Sequence, residues 1–307
     1  MAKPTSLITL GIDVSKDELV IHLFDADRTE SIPNQPGPVR DWLRQFADAQ
    51  IAIEPTSCYH LVAIDAALAQ GFTVYLINPR QLVHYRDAVG VRNKTDADDA
   101  YLLARYLARE HDQLKPYEPQ NAKAQALWTL LKRRGLLAQT RVQLRQSLHG
   151  VGISTVALFT QINSLLKRID DRIKQLIDQL GWHADYQHCL TLPGIGPLNA
   201  AALVAAFHRG AFAGADAFVS FIGFDVRIRE SGRFKGKRKL TKRGEAELRR
   251  LLYCAANPAR RHPKFDDFYR RQIDKGLSKT AANVILARKL ARIAFALIRK
   301  QTSFNAG

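Results

Sequence analysis

Cysteine is scarce in this chain. Cys58, Cys189 and Cys254 are three in 307 residues, isolated from one another, with neither a C-x-x-C pair nor zinc-finger spacing. That argues against a disulfide scaffold or a cysteine-bound metal, and reduced thiols in a cytosolic protein are expected. No run of about 18 apolar residues occurs, so no membrane span is expected. The opening stretch MAKPTSLITLGID lacks the shape of a secretory signal, so a cytoplasmic protein is expected. Residues 1–115 carry no glycine-rich phosphate loop, which counts against an ATPase of the actin type, although a GID strand followed by a hairpin also opens that fold. Acidic residues are scarce in one part only. Residues 1–115 hold 12 Lys and Arg against 16 Asp and Glu, a net of −4, whereas residues 116–307 hold 34 against 13, a net of +21. Such asymmetry points to a polyanion, and to nucleic acid rather than a membrane surface, because the basic residues are interleaved with core patterns.

At 307 residues and 46% hydrophobic content the chain has room for about two well-filled domains. The front reads as α/β. SLITLGID (6–13) and LVIHLFD (19–25) make a hairpin around the turn SKDE, IAIEPTS (51–57) and FTVYLIN (72–78) are further strands, and helices are expected at 38–49, 59–69 and from Pro79. Strands and helices in this alternation predict a mixed sheet with helices on its faces. Carboxylates recur at matching places: Asp13 closes the first strand and Glu54 ends the strand expected beside it.

RNKTDADDAYLLARY (92–106) adds three aspartates in four positions. Thr95 followed by Asp98 fits a helix start in which Asp98 reaches back to a free backbone N–H. Capping needs one aspartate; Asp96 and Asp99 remain, side by side on one helical face. Mg²⁺, or Mn²⁺ in its place, held between carboxylates relieves that repulsion. If the two strands are neighbours, Asp13, Glu54, Asp96 and Asp99 converge at one sheet edge and together match a two-metal phosphoryl-transfer site.

The middle of the chain is helical. Leu127, Leu130, Leu137, Leu144 and Leu148 form a stripe interrupted by Arg134 and Arg141, and Ile162, Leu166, Ile169, Ile173, Leu176 and Leu180 form a second at alternating steps of four and three. An antiparallel pair or an oligomerising coiled coil is expected, with the arginines on a solvated face or a nucleic-acid track. The rear begins with LTLPGIGPLNAAALVAAF (190–207), whose tight turn resembles a helix-hairpin-helix signature able to present backbone N–H groups to a phosphate. RIRESGRFKGKRKLTKRGEAELRR (227–250) holds 11 basic residues against three Glu. Arg227, Arg229, Arg233, Lys235, Lys237, Arg238, Lys239, Lys242 and Arg243 are the candidate nucleic-acid contacts. Apolar AFVSFIGF (217–224) precedes this run and predicts a buried Ser220. An amphipathic helix follows it, so the run is a loop within a domain. Ser231 lies among these cations, and nothing in its spacing alone raises it above a polar turn residue.

GIDVSKD, IEPTS and KTDADDA resemble the RuvC-like, RNase H-fold domain of the DEDD transposases of the insertion sequence 110 family. SGRFKGKRKLTKRG, LRRLLYCAA and FYRRQIDKGLSKTAANVILARKLARIAFAL resemble that family's C-terminal transposase domain. The resemblance runs in order along nearly the whole chain. It implies an RuvC-like domain over 1–115, a coiled-coil linker over 116–182 that supports oligomer assembly, and a mainly helical serine transposase domain over 183–307. It further implies that Asp13, Glu54, Asp96 and Asp99 hold the metal and that Ser231 attacks a DNA phosphodiester. The implied partners are donor and target DNA, a structured guide RNA, and copies of the same chain in a homotetramer whose sites join one protomer's carboxylates to another's serine. The implied place is the bacterial cytoplasm, at the nucleoid. A metal-only nuclease or junction resolvase, with Ser231 structural, and a DNA-binding protein without chemistry are the alternatives; the second leaves the four carboxylates unexplained.

Overall fold

The computed structural model describes residues 7–119, 121–227, 230–231, 234–235 and 239–305. The chain divides into two compact units, Met1–Pro119 and Gln120–Gly307.

The front unit is built on a five-stranded sheet. Strands β1 (Ile8–Val14), β2 (Glu18–Leu23), β3 (Arg28–Pro33), β4 (Ala49–Ile53) and β5 (Thr73–Leu76) lie in the order β3-β2-β1-β4-β5. The first three are antiparallel; β1, β4 and β5 are parallel. This is the RNase H-like arrangement. Strand β3, RTESIP, is absent from the sequence expectation. It is an edge strand, polar and largely exposed, so it carries no apolar alternation to reveal it.

Both faces of the sheet are covered. Leu10, Ile12, Val14, Ile51, Ile53 and Val74 share one core with α1 (Pro36–Leu43) and α2 (Leu61–Ala69). Ala52 and Tyr75, one step out of phase, share another core with α3 (Pro79–Val89) and α4 (Asp96–Glu110). The period of two along each strand produces this division. It leaves Gly11 and Asp13 on the other parity from Leu10, Ile12 and Val14. A Cβ at Gly11 would stand 2.1 Å from the Ala100 carbonyl oxygen and 2.3 Å from the Ala104 nitrogen. Only glycine lets the backbone of α4 lie this close to β1.

The rear unit is helical: α5 (Ala122–Ser147), α6 (Val156–Gln179), α7 (His183–Leu190), α8 (Pro197–Phe207), α9 (Ala215–Ile222), α10 (Ala246–Ala259), α11 (Pro263–Asp274) and α12 (Lys279–Lys300). Between α9 and α10 lie two-residue strands β6 (Val226–Arg227), β7 (Glu230–Ser231), β8 (Phe234–Lys235) and β9 (Lys239–Leu240). Helices α5 and α6 are antiparallel. Arg134 grips Asp170 with two hydrogen bonds of 2.9 and 3.2 Å, and Arg141 reaches Asn163 at 2.7 Å. The arginines that interrupt the leucine stripe bridge the two helices while staying partly exposed. Leu127 and Leu131 of α5 and Ile173, Leu176 and Ile177 of α6 join Leu203, Phe218, Leu252 and Leu290 in one core. Toward the hairpin's far end, Val142, Val151, Ile153, Val156, Leu158 and Leu165 are exposed. Among the described residues, no helix is long and apolar enough to cross a membrane.

Candidate functional site

The β1–β4 ladder ends with Ile12 opposite Ile53. Asp13 and Glu54 are the next residues on the two neighbouring strands, so the parallel register sets their carboxylates at the same end of the sheet. Helix α4 brings the other two. Thr95 is its N-cap: the Thr95 hydroxyl accepts from the Asp98 N–H at 3.1 Å and donates its own proton to the Asp98 carboxylate at 2.7 Å. Asp98 is thus spent on the helix start as expected, although through the Thr95 side chain and not the backbone. With α4 pressed onto Gly11, Asp96 and Asp99 in its first turn lie near Asp13.

The electrostatics register this convergence. The Asp13 carboxyl is pushed up from 3.8 to about 6, first by burial and then by repulsion from Asp99, Asp96 and Glu54. Glu54 is also raised, by burial and by Asp99, against the opposing pull of Lys94 and Arg86. Asp99 is 8% exposed, and its carboxylate is paired with the guanidinium of Arg86, which comes from the last turn of α3. Among the described residues, no three His, Cys, Asp or Glu side chains meet closely enough to hold a metal ion as they stand. The donor set nonetheless suits a hard divalent cation: oxygen ligands only, partly buried, with a deficit of positive charge. A cation already lies within the cluster, in the form of Arg86. Asp13, Glu54, Asp96 and Asp99 are the candidate residues to hold such an ion.

Two contributors to this site are not among the residues picked from sequence. Arg86 in the last turn of a helix carries no mark beyond favourable placement at a dipole's negative end. Gly11 did carry one, since a glycine inside an apolar strand signals a close backbone approach.

In the rear unit, the basic segment is a pair of short antiparallel ribbons and not a plain loop. Val226 and Arg227 pair with Leu240 and Lys239; Glu230 and Ser231 pair with Lys235 and Phe234. The ribbon's base is fixed by the Thr241 N–H to the Asp225 carbonyl at 2.9 Å and by a Thr241–Asp225 side-chain hydrogen bond. Arg249 of α10 donates to the Ile222 carbonyl at 3.0 Å, tying the base to α9. Arg227, Lys242 and Arg243 are exposed. Ser231, Lys235 and Lys239 are described by their backbone; Arg229, Arg233, Lys237 and Arg238 lie outside the described residues. Ser220 is exposed on α9, not buried, because the buried face of that helix is formed by Phe218, Val219 and Ile222. In the turn before α8, Gly194 has φ +87° and packs against the Ala255 carbonyl of α10, where a Cβ would stand at 2.4 Å. Cys189 is buried and its thiol is pushed up to about 12 by burial, which removes it from nucleophilic chemistry.

Residues 10–151 match the family DEDD_Tnp_IS110, described as "Transposase", and residues 186–270 match one described as "Transposase IS116/IS110/IS902 family". The "Pilin gene-inverting protein" of Moraxella lacunata is 30% identical over 267 residues, covering 83% of this chain and 81% of that protein. A "Probable family 20 transposase" of Pseudomonas aeruginosa is 27% identical over 98% of this chain and 100% of its own length. Among solved structures, Thermus thermophilus RuvC in complex with a Holliday junction substrate is 18% identical with a TM-score of 0.27, covering 36% of this chain and 99% of RuvC.

Proposed function

The chain belongs to the insertion sequence 110 family of transposases, and from that premise we propose that it moves its element by strand exchange, with Ser231 as nucleophile and Asp13, Glu54, Asp96 and Asp99 as ligands of Mg²⁺ or Mn²⁺. The observation that carries the metal half is the gathering of four carboxylates at one sheet edge, where burial and then repulsion from Asp99, Asp96 and Glu54 raise Asp13 to about 6. The serine half rests on sequence resemblance and on Ser231 lying in a paired ribbon amid cations.

In the proposed chemistry the Ser231 oxygen forms a bond to phosphorus and the bond from that phosphorus to one sugar oxygen breaks. The serine proton passes to a base, and the departing sugar oxygen takes up a proton as a hydroxyl. Basic side chains of the ribbon, Arg227, Lys242 and Arg243 among them, neutralise the pentavalent phosphate. A divalent ion on the carboxylates would supply further charge neutralisation at the reacting oxygens. Joining the strands reverses the step at a new sugar hydroxyl and frees Ser231.

A structured RNA pairing with donor and target DNA would read sequence, leaving the protein to hold backbones; the net +21 over residues 116–307 suits that division. The exposed apolar residues at the far end of the α5–α6 hairpin support assembly of several copies, a tetramer in this reading. The name of the Moraxella relatives favours one variation: inversion and transposition use the same bond exchange on differently arranged sites.

The deciding test is a suicide DNA substrate with labelled ends, run with Mg²⁺ on the wild type and Ser231→Ala. A protein–DNA adduct that survives denaturing electrophoresis in the wild type and vanishes in Ser231→Ala, while nucleic-acid binding persists, is the expected result. Cleavage with no serine-dependent adduct rejects the serine mechanism and leaves a metal-dependent nuclease.

A further inference from the structure

Arg86 is an unusual occupant for a site of this kind. The Arg86 side chain is 13% exposed and the Asp99 side chain 12%, so the pair is largely withdrawn from water. One guanidinium nitrogen, Nη2, donates to Asp99, while Nε is buried with no hydrogen-bond partner. A guanidinium seated for stability alone would use its fork on a carboxylate, as Arg134 does on Asp170. Arg86 also acts on Glu54, whose charge it favours from across the cluster. Its anchorage is firm at the backbone: the Arg86 carbonyl accepts from the N–H groups of Gly90 and Val91 where α3 ends.

We propose that Arg86 is a resident counter-cation of the carboxylate cluster, one that holds Asp99 while no divalent ion is bound and must yield that carboxylate for one to enter. The inference rests on the metal reading of Asp13, Glu54, Asp96 and Asp99 given above. A guanidinium keeps its charge at any working pH, so the contact is relieved by displacement and not by titration. The divalent ion competes for the same carboxylate oxygens with twice the charge. Premature loading is opposed, and the carboxylates stay assembled without metal. The displaced guanidinium, with its spare N–H groups, becomes available to a phosphate beside the ion.

The test measures metal binding, not turnover. Mn²⁺ binding to the full-length protein is followed by the electron paramagnetic resonance signal of the free ion, for the wild type, Arg86→Gln, Arg86→Lys and Asp13→Asn. Removing the competitor in Arg86→Gln should tighten Mn²⁺ binding by about tenfold, the scale of one lost charge contact at a partly buried site. Arg86→Lys keeps the charge without the fork and should bind Mn²⁺ about threefold more tightly than the wild type; it carries the test if Arg86→Gln does not fold. Melting without metal should fall in Arg86→Gln, and the rise on adding Mn²⁺ should be larger than in the wild type. Unchanged or weaker Mn²⁺ binding in both Arg86 variants, with binding still abolished by Asp13→Asn, overturns the proposal and leaves the metal site standing. Absence of any Asp13-dependent Mn²⁺ binding, in the wild type and the Arg86 variants alike, overturns the metal reading and this inference with it.

Discussion

The two units deal with charge in opposite ways. The front unit, net −4 over residues 1–115, concentrates like charges where they repel: four carboxylates at one sheet edge, with Asp13 held near 6. The rear unit, net +21 over residues 116–307, spreads its charge over exposed positions such as Arg227, Lys242 and Arg243. Repulsion tolerated in a partly buried cluster stores up a demand for a cation at one point. Charge spread over a surface creates a field that attracts a long polyanion anywhere along it. The first arrangement concentrates a field at one point and the second extends one over a surface, and each should fail differently when altered.

The sharpest break is loss of strand exchange. Replacing Asp13, Glu54, Asp96 or Asp99 by alanine should abolish recombination in a two-site plasmid assay with nucleic-acid binding intact. Full activity in Asp99→Ala would remove the metal assignment. The front site should also be breakable without touching a carboxylate. Gly11→Ala forces a Cβ into the backbone of α4. It should cost about 2–3 kcal/mol, as overpacking does, and displace Asp96 and Asp99, read by denaturant melts and by lost recombination.

The rear unit should respond by degrees. Binding to duplex DNA should weaken with salt at about −0.9 in log–log slope per neutralised phosphate, and Lys242→Gln or Arg243→Gln should each reduce the slope by about one. A slope untouched by both would move the binding face elsewhere.

The burial of Asp13 and the cluster's repulsion are testable together by pH. Asp13 is raised from 3.8 to about 6, so between those values the folded state binds more protons than the unfolded one, and stability falls as pH rises through that window. Without divalent ions, Asp13→Asn should therefore be more stable than the wild type at pH 7.5, by about 1 kcal/mol after solvent screening. The advantage should disappear near pH 4; a constant difference across that range would deny the raised carboxyl. The smallest effect belongs to Asp98→Ala, which should cost roughly 0.5–1 kcal/mol through the weakened N-cap and leave strand exchange working.

Much of the fold was legible because its information is local. Strands β1, β4 and β5 carry apolar runs, the helix start at Thr95 is written in four residues, and the charge divide needs only counting. The carboxylates were legible as candidates because each stands at the end of an element. Strand β3 was not, since an exposed polar edge has no pattern to bury. The bridging role of the α5 arginines was not legible because their partners, Asp170 and Asn163, lie 36 and 22 residues away. Ser220 was misjudged because a run of apolar neighbours does not say which side of a helix faces the core.

By itself, then, the sequence determined most of the elements, the division of charge and the short list of acids, all of which depend on residue type and near spacing. Only the tertiary structure decided that β1 and β4 run parallel with Ile12 beside Ile53, that α4 closes on Gly11, and that Arg86 from another helix enters the cluster. Those facts depend on contacts between segments far apart in the chain. Register, close backbone approach and a buried ion pair are set by how whole elements pack, and no local stretch of residues carries them.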